Sequence, residues 1–128
     1  MINKWKEEYS VGDPILDSHH QHLFDLILKS KSLLTDTPSQ EELLNVIKEL
    51  KDYTLYHFNE EEKRMVEQKY IGYSRQKDLH NLFIEEIVKL ENKIIHHDSF
   101  VTDDLFLFLS QWLVNHIQNE DMKYKNKI

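Results

Sequence analysis

Six side chains able to bind metal ions recur at helix-turn spacing on four separate apolar segments of the chain. They are His20, His57, Glu61, His80, His116 and Asp121. In an apolar interior, a neutral imidazole needs partners for both ring nitrogens, and a carboxylate is very costly to bury without a cation. Because so many of these groups lie on apolar stripes, the pattern predicts a pair of metal ions inside a helical bundle.

The spacing within segments supports this prediction. His57 and Glu61 are four residues apart and therefore share one face of a helix, and Gln76 has the same relation to His80. His20 and His116 would join them from two further helices. Histidine nitrogen combined with shared carboxylate oxygen suits iron and, less specifically, manganese or zinc.

The acidic ligand of the last segment is ambiguous from spacing. Asp121 follows His116 by five residues, which places the two side chains about 140° apart on a regular helix. Glu120, four residues on, fits better. Asp121 would reach the site if the helix loosened by a π-bulge, a feature often found at functional sites. Both acids stay open on this argument.

Composition limits the classes of protein and partner. A length of 128 residues predicts a single domain over residues 1–128. The chain has no cysteine, which excludes disulfides, thiolate zinc sites and iron–sulfur clusters and fits a reducing, cytoplasmic location. A net charge of −7 argues against a nucleic-acid binder. No apolar run approaches the roughly 18 residues of a membrane span, and residues 1–10 lack the apolar core of a signal peptide.

The remaining pattern predicts an all-α protein, an antiparallel up-and-down four-helix bundle with an irregular N-terminal arm over residues 1–14. Apolar residues at three-and-four spacing predict the helices. Ser39 and Glu42 form a capping-box pattern before the second helix. The expected helices cover residues 17–34, a segment from Ser39 past Met65, a segment carrying residues 76–94, and one starting near Thr102 and carrying His116.

Four motifs in this order resemble those of the hemerythrins, particularly the single-domain bacterial hemerythrin-like proteins. The resemblance covers nearly the whole chain, beginning with an arm that carries Trp5, Tyr9 and Gly12. The motifs are Ile-Leu-Asp-Ser-His-His ending at His20, His-Phe-Asn-Glu-Glu ending at Glu61, His-Asn-Leu-Phe starting at His80, and Trp-Leu-Val-Asn-His-Ile containing His116 and followed by Asp121 and Tyr124.

The resemblance implies a non-haem di-iron site that binds O2 reversibly. By position, His20 and His57 would ligate the iron that takes O2, and His80 and His116 would ligate the other iron. Glu61 and Asp121 would bridge the two irons, with an oxo or hydroxo group as third bridge, so the resemblance favours Asp121 over Glu120. It also implies an apolar lining of the O2 pocket by Phe58, Trp112, Leu113 and Ile117, which would keep water and protons out.

Gln76 departs from the family pattern, which has a histidine four residues before His80. Three outcomes are open. The amide oxygen of Gln76 binds the second iron, a water or hydroxide fills the place, or the second metal is partly absent. The first two are favoured over the third. Either would leave the O2-binding iron unchanged while altering its partner.

The leading functional hypothesis is an O2 carrier, store or scavenger without substrate turnover. The alternatives are a di-iron oxidase or peroxidase, motivated by Gln76, an oxygen or redox sensor acting through an unknown partner protein, and a purely structural metal bundle. Other polar residues are expected outside the site. His19 and His22 are predicted at a solvated rim, Glu60 and Glu62 on the solvated face or its edge, and His96 and His97 in an exposed loop.

Overall fold

The computed structural model describes residues 5–32, 38–96 and 101–128, and of residues 101–106 only the backbone. In these ranges the chain forms four α-helices, two short 3-10 helices and no strand. The α-helices are α1 (Pro14–Ser32), α2 (Gln40–Glu67), α3 (Tyr73–Ile95) and α4 (Val101–Asn119), and the 3-10 helices are Glu7–Tyr9 and Asp121–Tyr124. The all-α fold class is confirmed.

Helix α1 begins three residues before the predicted start at Asp17. Asp13 caps it, because its Oδ1 accepts hydrogen bonds from the backbone N–H groups of Ile15 at 2.9 Å and Leu16 at 3.2 Å. Pro14 occupies the first helical position, where its missing N–H costs nothing. The sequence signal for this start was therefore Asp13-Pro14. The predicted end near Leu34 lies outside the described residues.

Helix α2 carries its start and stop signals in sequence. The predicted capping box is confirmed, since Ser39 Oγ accepts from Glu42 N–H and Glu42 Oε1 accepts from Ser39 N–H, both at 3.1 Å. At the other end, Lys69 adopts a left-handed φ of 52°. Tyr70 N–H then bonds to Met65 O at 2.8 Å, which completes a Schellman motif with lysine in the position that usually holds glycine.

The helices form an antiparallel bundle, as predicted. Helices α1 and α3 each contact both α2 and α4. The side chain of Gln40, at the start of α2, donates to the carbonyls of Ile94 and Ile95 at the end of α3 at 3.1 and 3.2 Å. Helices α2 and α3 therefore run in opposite directions. No helix within the described residues is both long and apolar enough to cross a membrane.

Two apolar clusters hold the bundle together, and the metal-capable side chains lie between them. The larger cluster includes Leu23 of α1 and Phe83 of α3, and the smaller consists of Val11, Leu16, Met65 and Tyr124. On α1, His20 falls between Leu16 of the smaller cluster and Leu23 of the larger one, so this helix has an apolar layer on either side of the polar layer.

The N-terminal arm packs on this framework. Asp17 accepts hydrogen bonds from Ser10 Oγ at 2.6 Å and from the backbone N–H of Val11 at 2.9 Å. The ring of Trp5 lies 5.7 Å from that of Phe24 between centroids. The arm contains the 3-10 helix Glu7–Tyr9, and its hydrogen bonds to Asp17 fix it beside the helix that carries His20.

Candidate metal centre

The polar layer gathers four imidazoles and two carboxylates from all four helices. Each of these side chains is buried, and Glu61, with 0 % exposure, is the most enclosed. Helix α1 contributes His20, α2 contributes His57 and Glu61, α3 contributes His80, α4 contributes His116, and the 3-10 helix after α4 contributes Asp121.

The two carboxylates lie at the middle of the group. Glu61 Oε1 is 3.1 Å from His57 Nε2 and 3.5 Å from His80 Nε2, and its Oε2 is 3.6 Å from His20 Nε2. Asp121 Oδ2 is 3.2 Å from His20 Nε2, and Asp121 Oδ1 is 3.1 Å from His116 Nε2. Every histidine therefore presents Nε2, the same ring nitrogen, toward a carboxylate.

These atoms fit metal ligation better than hydrogen bonding. Five of them are buried without a hydrogen-bond partner, namely Nε2 of His20, His80 and His116, Glu61 Oε1 and Asp121 Oδ2. Two ligands at right angles, each about 2.1 Å from one ion, are about 3.0 Å apart. The spacings of 3.1–3.6 Å lie near that value. Nδ1–H of the same rings is then free for protein partners.

The carboxylates are held in their charged forms. Burial raises the pKa of Glu61, but His57 and His20 outweigh it, so the pKa lies well below the ordinary value. Burial and the charge of Glu61 raise the pKa of Asp121, and His116 and His20 bring it down to about 2. Two buried anions side by side favour a cation at this place.

The imidazoles of the polar layer differ in the direction of their pKa shifts. Burial lowers the pKa of His20, but the adjacent carboxylates of Asp121 and Glu61 raise it to about 9. The pKa of His116 is also raised, because Asp121 outweighs burial. Burial dominates at His57, whose pKa is lowered despite Glu61. In the absence of metal, a proton on His20 therefore supplies part of the positive charge that the two carboxylates need.

Two outer partners orient the histidines from behind, and sequence analysis did not assign either role. His19 Nδ1 lies 2.9 Å from His57 Nδ1, and Glu62 Oε2 lies 2.8 Å from His80 Nδ1. Such contacts fix the ring and its tautomer so that Nε2 faces the metal. The sequence signal for Glu62 was its position one residue after Glu61 on the same helix.

The expectation for His19 was wrong, because its side chain is only 6 % exposed. Neighbouring residues on a helix point about 100° apart, so the sequence predicts that His19 points away from the bundle axis. In the structure the same 100° turns His19 toward α2, where it meets His57, and away from solvent. The other expectations hold where they are described, since His22 and His96 are exposed and Glu60 and Glu62 are half-buried. His97 lies outside the described residues.

Asp121 reaches the site because α4 ends, rather than through the π-bulge considered from sequence. The last α-type bond joins Glu120 N–H to His116 O at 2.8 Å, and the chain then tightens into the 3-10 helix Asp121–Tyr124. Glu120 turns the other way. Its carboxylate accepts from Arg75 Nε at 2.6 Å and from Lys123 Nζ at 3.2 Å.

The two carboxylates also have hydrogen-bond donors within the chain. Gln76 Nε2 donates to Asp121 Oδ1 at 3.0 Å, while Gln76 Oε1 is buried without a hydrogen-bond partner. The hydroxyl of Tyr124 donates to Glu61 Oε2. Gln76 therefore lies within the polar layer, as the spacing to His80 predicts, with its amide N–H₂ directed at Asp121.

Aromatic and aliphatic side chains cover one side of the group. The Phe58 ring stacks on His80 with 3.8 Å between centroids, and the Trp112 ring stacks on His116 at 4.3 Å. Phe58, Leu113 and Ile117 are buried in the larger apolar cluster, and Trp112 packs against it while half-buried. Of the predicted lining residues, Phe58 and Trp112 thus adjoin the histidines of α3 and α4.

Comparison with known proteins agrees with this arrangement. A family model described as the hemerythrin HHE cation binding domain matches residues 11–128. A bacteriohemerythrin of Pseudomonas paraeruginosa is 32% identical over 127 residues, which cover 97% of this chain and 80% of that protein. A bacteriohemerythrin of Clostridium acetobutylicum is 29% identical over 127 residues, covering 94% of this chain and 96% of the relative.

A solved structure shares the same fold. The crystal structure of wild-type hemerythrin superposes with a TM-score of 0.90, covering 99% of this chain and 98% of that chain. The two sequences are 24% identical, so the similarity concerns the four-helix architecture.

Proposed function

Since this chain belongs to the hemerythrin family, we propose that it is a non-haem di-iron protein that binds O2 reversibly as a carrier, store or scavenger. A bound iron pair would supply the electrons that reversible O2 binding requires. One observation carries the proposal: unpartnered imidazole nitrogens from α1, α3 and α4 converge on two buried carboxylates.

The proposed assignment gives His20 and His57 to the iron that takes O2, and His80 and His116 to the other. The carboxylates support a paired site, because each faces at least one histidine of each set. Glu61 Oε1 faces His57 and His80, whereas Asp121 faces His20 and His116 through separate oxygens. Such positions suit two bridging carboxylates.

The protein would contribute orientation and exclusion of water. His19 and Glu62 hold His57 and His80 with Nε2 inward. Burial of Phe58, Leu113 and Ile117 limits the access of water and protons from the apolar side of the site. A dry and proton-poor surrounding favours release of O2 over irreversible oxidation of the site.

The test is O2 uptake by the anaerobically reduced, iron-loaded protein. We expect one O2 for each pair of irons, released again under vacuum. Glu61→Gln should lose most of the iron and the O2 uptake, because a neutral amide compensates cations poorly. Glu67→Gln, an exposed position on the same helix, is the matched control and should behave as the original protein. Full O2 uptake by Glu61→Gln, or none by the iron-loaded original protein, would contradict the proposal.

A second candidate function, a di-iron peroxidase or oxidase, is favoured by Gln76. An amide whose N–H₂ is engaged by Asp121 leaves the second metal with one imidazole fewer than the family pattern. Under this hypothesis, Gln76→His should slow catalytic consumption of hydrogen peroxide and lengthen the lifetime of the oxygenated form. Peroxide turnover no faster than that of free iron would remove this candidate.

A further inference from the structure

A cleft of about 310 Å³ opens on the surface beside the candidate metal centre. It lies where α3 meets the end of α4. Its lining includes Arg75 and Leu79 of α3, Trp112 and His116 of α4, and Glu120 and Lys123 after α4.

One imidazole separates this cleft from the polar layer. His116 lines the cleft and also places Nε2 3.1 Å from Asp121 Oδ1. Gln76 follows Arg75 in α3 and is buried behind the cleft lining, and its amide N–H₂ donates to the same Asp121 oxygen at 3.0 Å. Neither His20 nor His57 lines the cleft. The cleft therefore adjoins the half of the site where glutamine replaces histidine.

The mouth of the cleft is locally cationic. Arg75 and Lys123 share the single carboxylate of Glu120, so two positive charges meet one negative charge. The side chains of Arg75 and Lys123 are 67 % and 58 % exposed, whereas that of Glu120 is 9 % exposed. The cations face solvent and the anion is covered, which favours the approach of anions despite a net charge of −7 on the chain.

Gln76 does not line the cleft itself, but its buried side chain, which follows Arg75 in α3, offers an unused polar group. Gln76 Oε1 is buried and has no hydrogen-bond partner, although its amide nitrogen is bonded to Asp121. A free buried acceptor of this kind is costly unless a donor reaches it. A protonated small ligand or an accompanying water would supply that donor.

We propose that this cleft is a second entrance to the metal centre, through which small monovalent inorganic anions and their protonated acids reach the Gln76 side. The inference rests on the proposed function, because it requires the metal pair. Arg75 and Lys123 would attract anions at the mouth of the cleft, and Leu79 and Trp112 would form its walls. The ligand would bind beside Gln76, in the position that an imidazole occupies in the family pattern.

Azide is the probe, and its binding to the oxidised iron-loaded protein is followed by the visible absorption of the adduct. Arg75→Gln should lower the association rate by about threefold at low ionic strength, with a weaker effect at high salt, since electrostatic steering into whole clefts is worth about 10–10³-fold. Lys77→Gln removes an exposed cation of α3 that does not line the cleft and should leave the rate unchanged. Equal association rates for Arg75→Gln and the original protein would contradict the role of Arg75 in attracting anions to the cleft.

Two further variants test the route and its end point. Leu79→Trp fills the cleft and should slow azide binding at least tenfold. Gln76→His should reduce the azide bound by one equivalent per iron pair. An unchanged rate in Leu79→Trp would overturn the cleft as the route, and unchanged stoichiometry in Gln76→His would overturn Gln76 as its end point; either result is enough to reject the inference.

Iron content and O2 uptake of each variant separate this inference from the proposed function. If the protein holds two irons and binds O2 but the cleft variants bind azide normally, only the second entrance is wrong. If the original protein holds no iron pair, the proposed function fails first. Normal iron content in Leu79→Trp also shows that this variant folds.

Discussion

The hydroxyl of Tyr124 provides a sharp test of how the C-terminal 3-10 helix stabilises the polar layer. Tyr124 is 0 % exposed and donates a hydrogen bond to Glu61 Oε2. Tyr124→Phe keeps the ring in its apolar cluster and removes only the donor. Glu61 then stays charged and buried with one partner fewer.

The expected loss follows from the charge of the acceptor. A hydrogen bond to a charged group contributes about 1.5–3 kcal/mol to the free energy of unfolding. With an unfolding entropy of about 2.1 cal/mol/K per residue, a 128-residue protein loses about 7 °C in Tm for 2 kcal/mol. In the metal-loaded protein the loss should be smaller, because a cation then compensates Glu61.

The assay is thermal and chemical unfolding of Tyr124→Phe with and without bound metal. Tyr73→Phe is the control, since Lys77 Nζ donates to the hydroxyl of Tyr73 at 3.5 Å in an exposed position. It should change the free energy of unfolding by less than about 0.5 kcal/mol. Two results would contradict the stabilising role of the Tyr124 hydroxyl. One is a loss in the free energy of unfolding no larger in Tyr124→Phe than in Tyr73→Phe, and the other is a loss equally large with metal bound.

Three further predictions concern other parts of the molecule. His19→Phe removes the partner of His57 Nδ1 and should weaken metal binding by about 10-fold in chelator competition, whereas His22→Phe at an exposed position should not; equal affinities would contradict the orienting role. The metal-free protein should lose stability as pH rises from about 6.5 to about 9, because the pKa of His20 is raised to about 9 in the folded state. A raised folded-state pKa stabilises the fold fully only below the pKa of the unfolded state. Denaturant titrations at both pH values check this, and a constant free energy of unfolding would count against it. Lys69→Gly should raise the free energy of unfolding by about 0.5–1 kcal/mol, because glycine adopts the φ of 52° without strain; an unchanged or lower Tm would contradict this.

Sequence patterns were sufficient for the helices and for which face of each carries the polar residues. Apolar spacing predicted the four helices, and the Ser39 and Glu42 pair predicted the start of α2. Each of these features depends on residues that are close together in the sequence, so it can be predicted without the structure. The start of α1 was predicted too late because Asp13-Pro14 was read as part of the arm.

Contacts between helices were harder to predict, because they depend on how each helix is rotated in the bundle. The partnership of His19 with His57 and that of Glu62 with His80 needed the relative placement of two helices. Asp121 could not be chosen over Glu120 from spacing, since the choice depends on where α4 ends.

The proposed function requires two metal ions between Glu61 and Asp121. A crystal structure of the iron-loaded protein, with anomalous diffraction at the iron edge, would locate them. We expect two iron peaks, one beside His20 and His57 and the other beside His80 and His116, with both carboxylates touching both ions. A single peak, or iron bound away from these histidines, would contradict the proposed function.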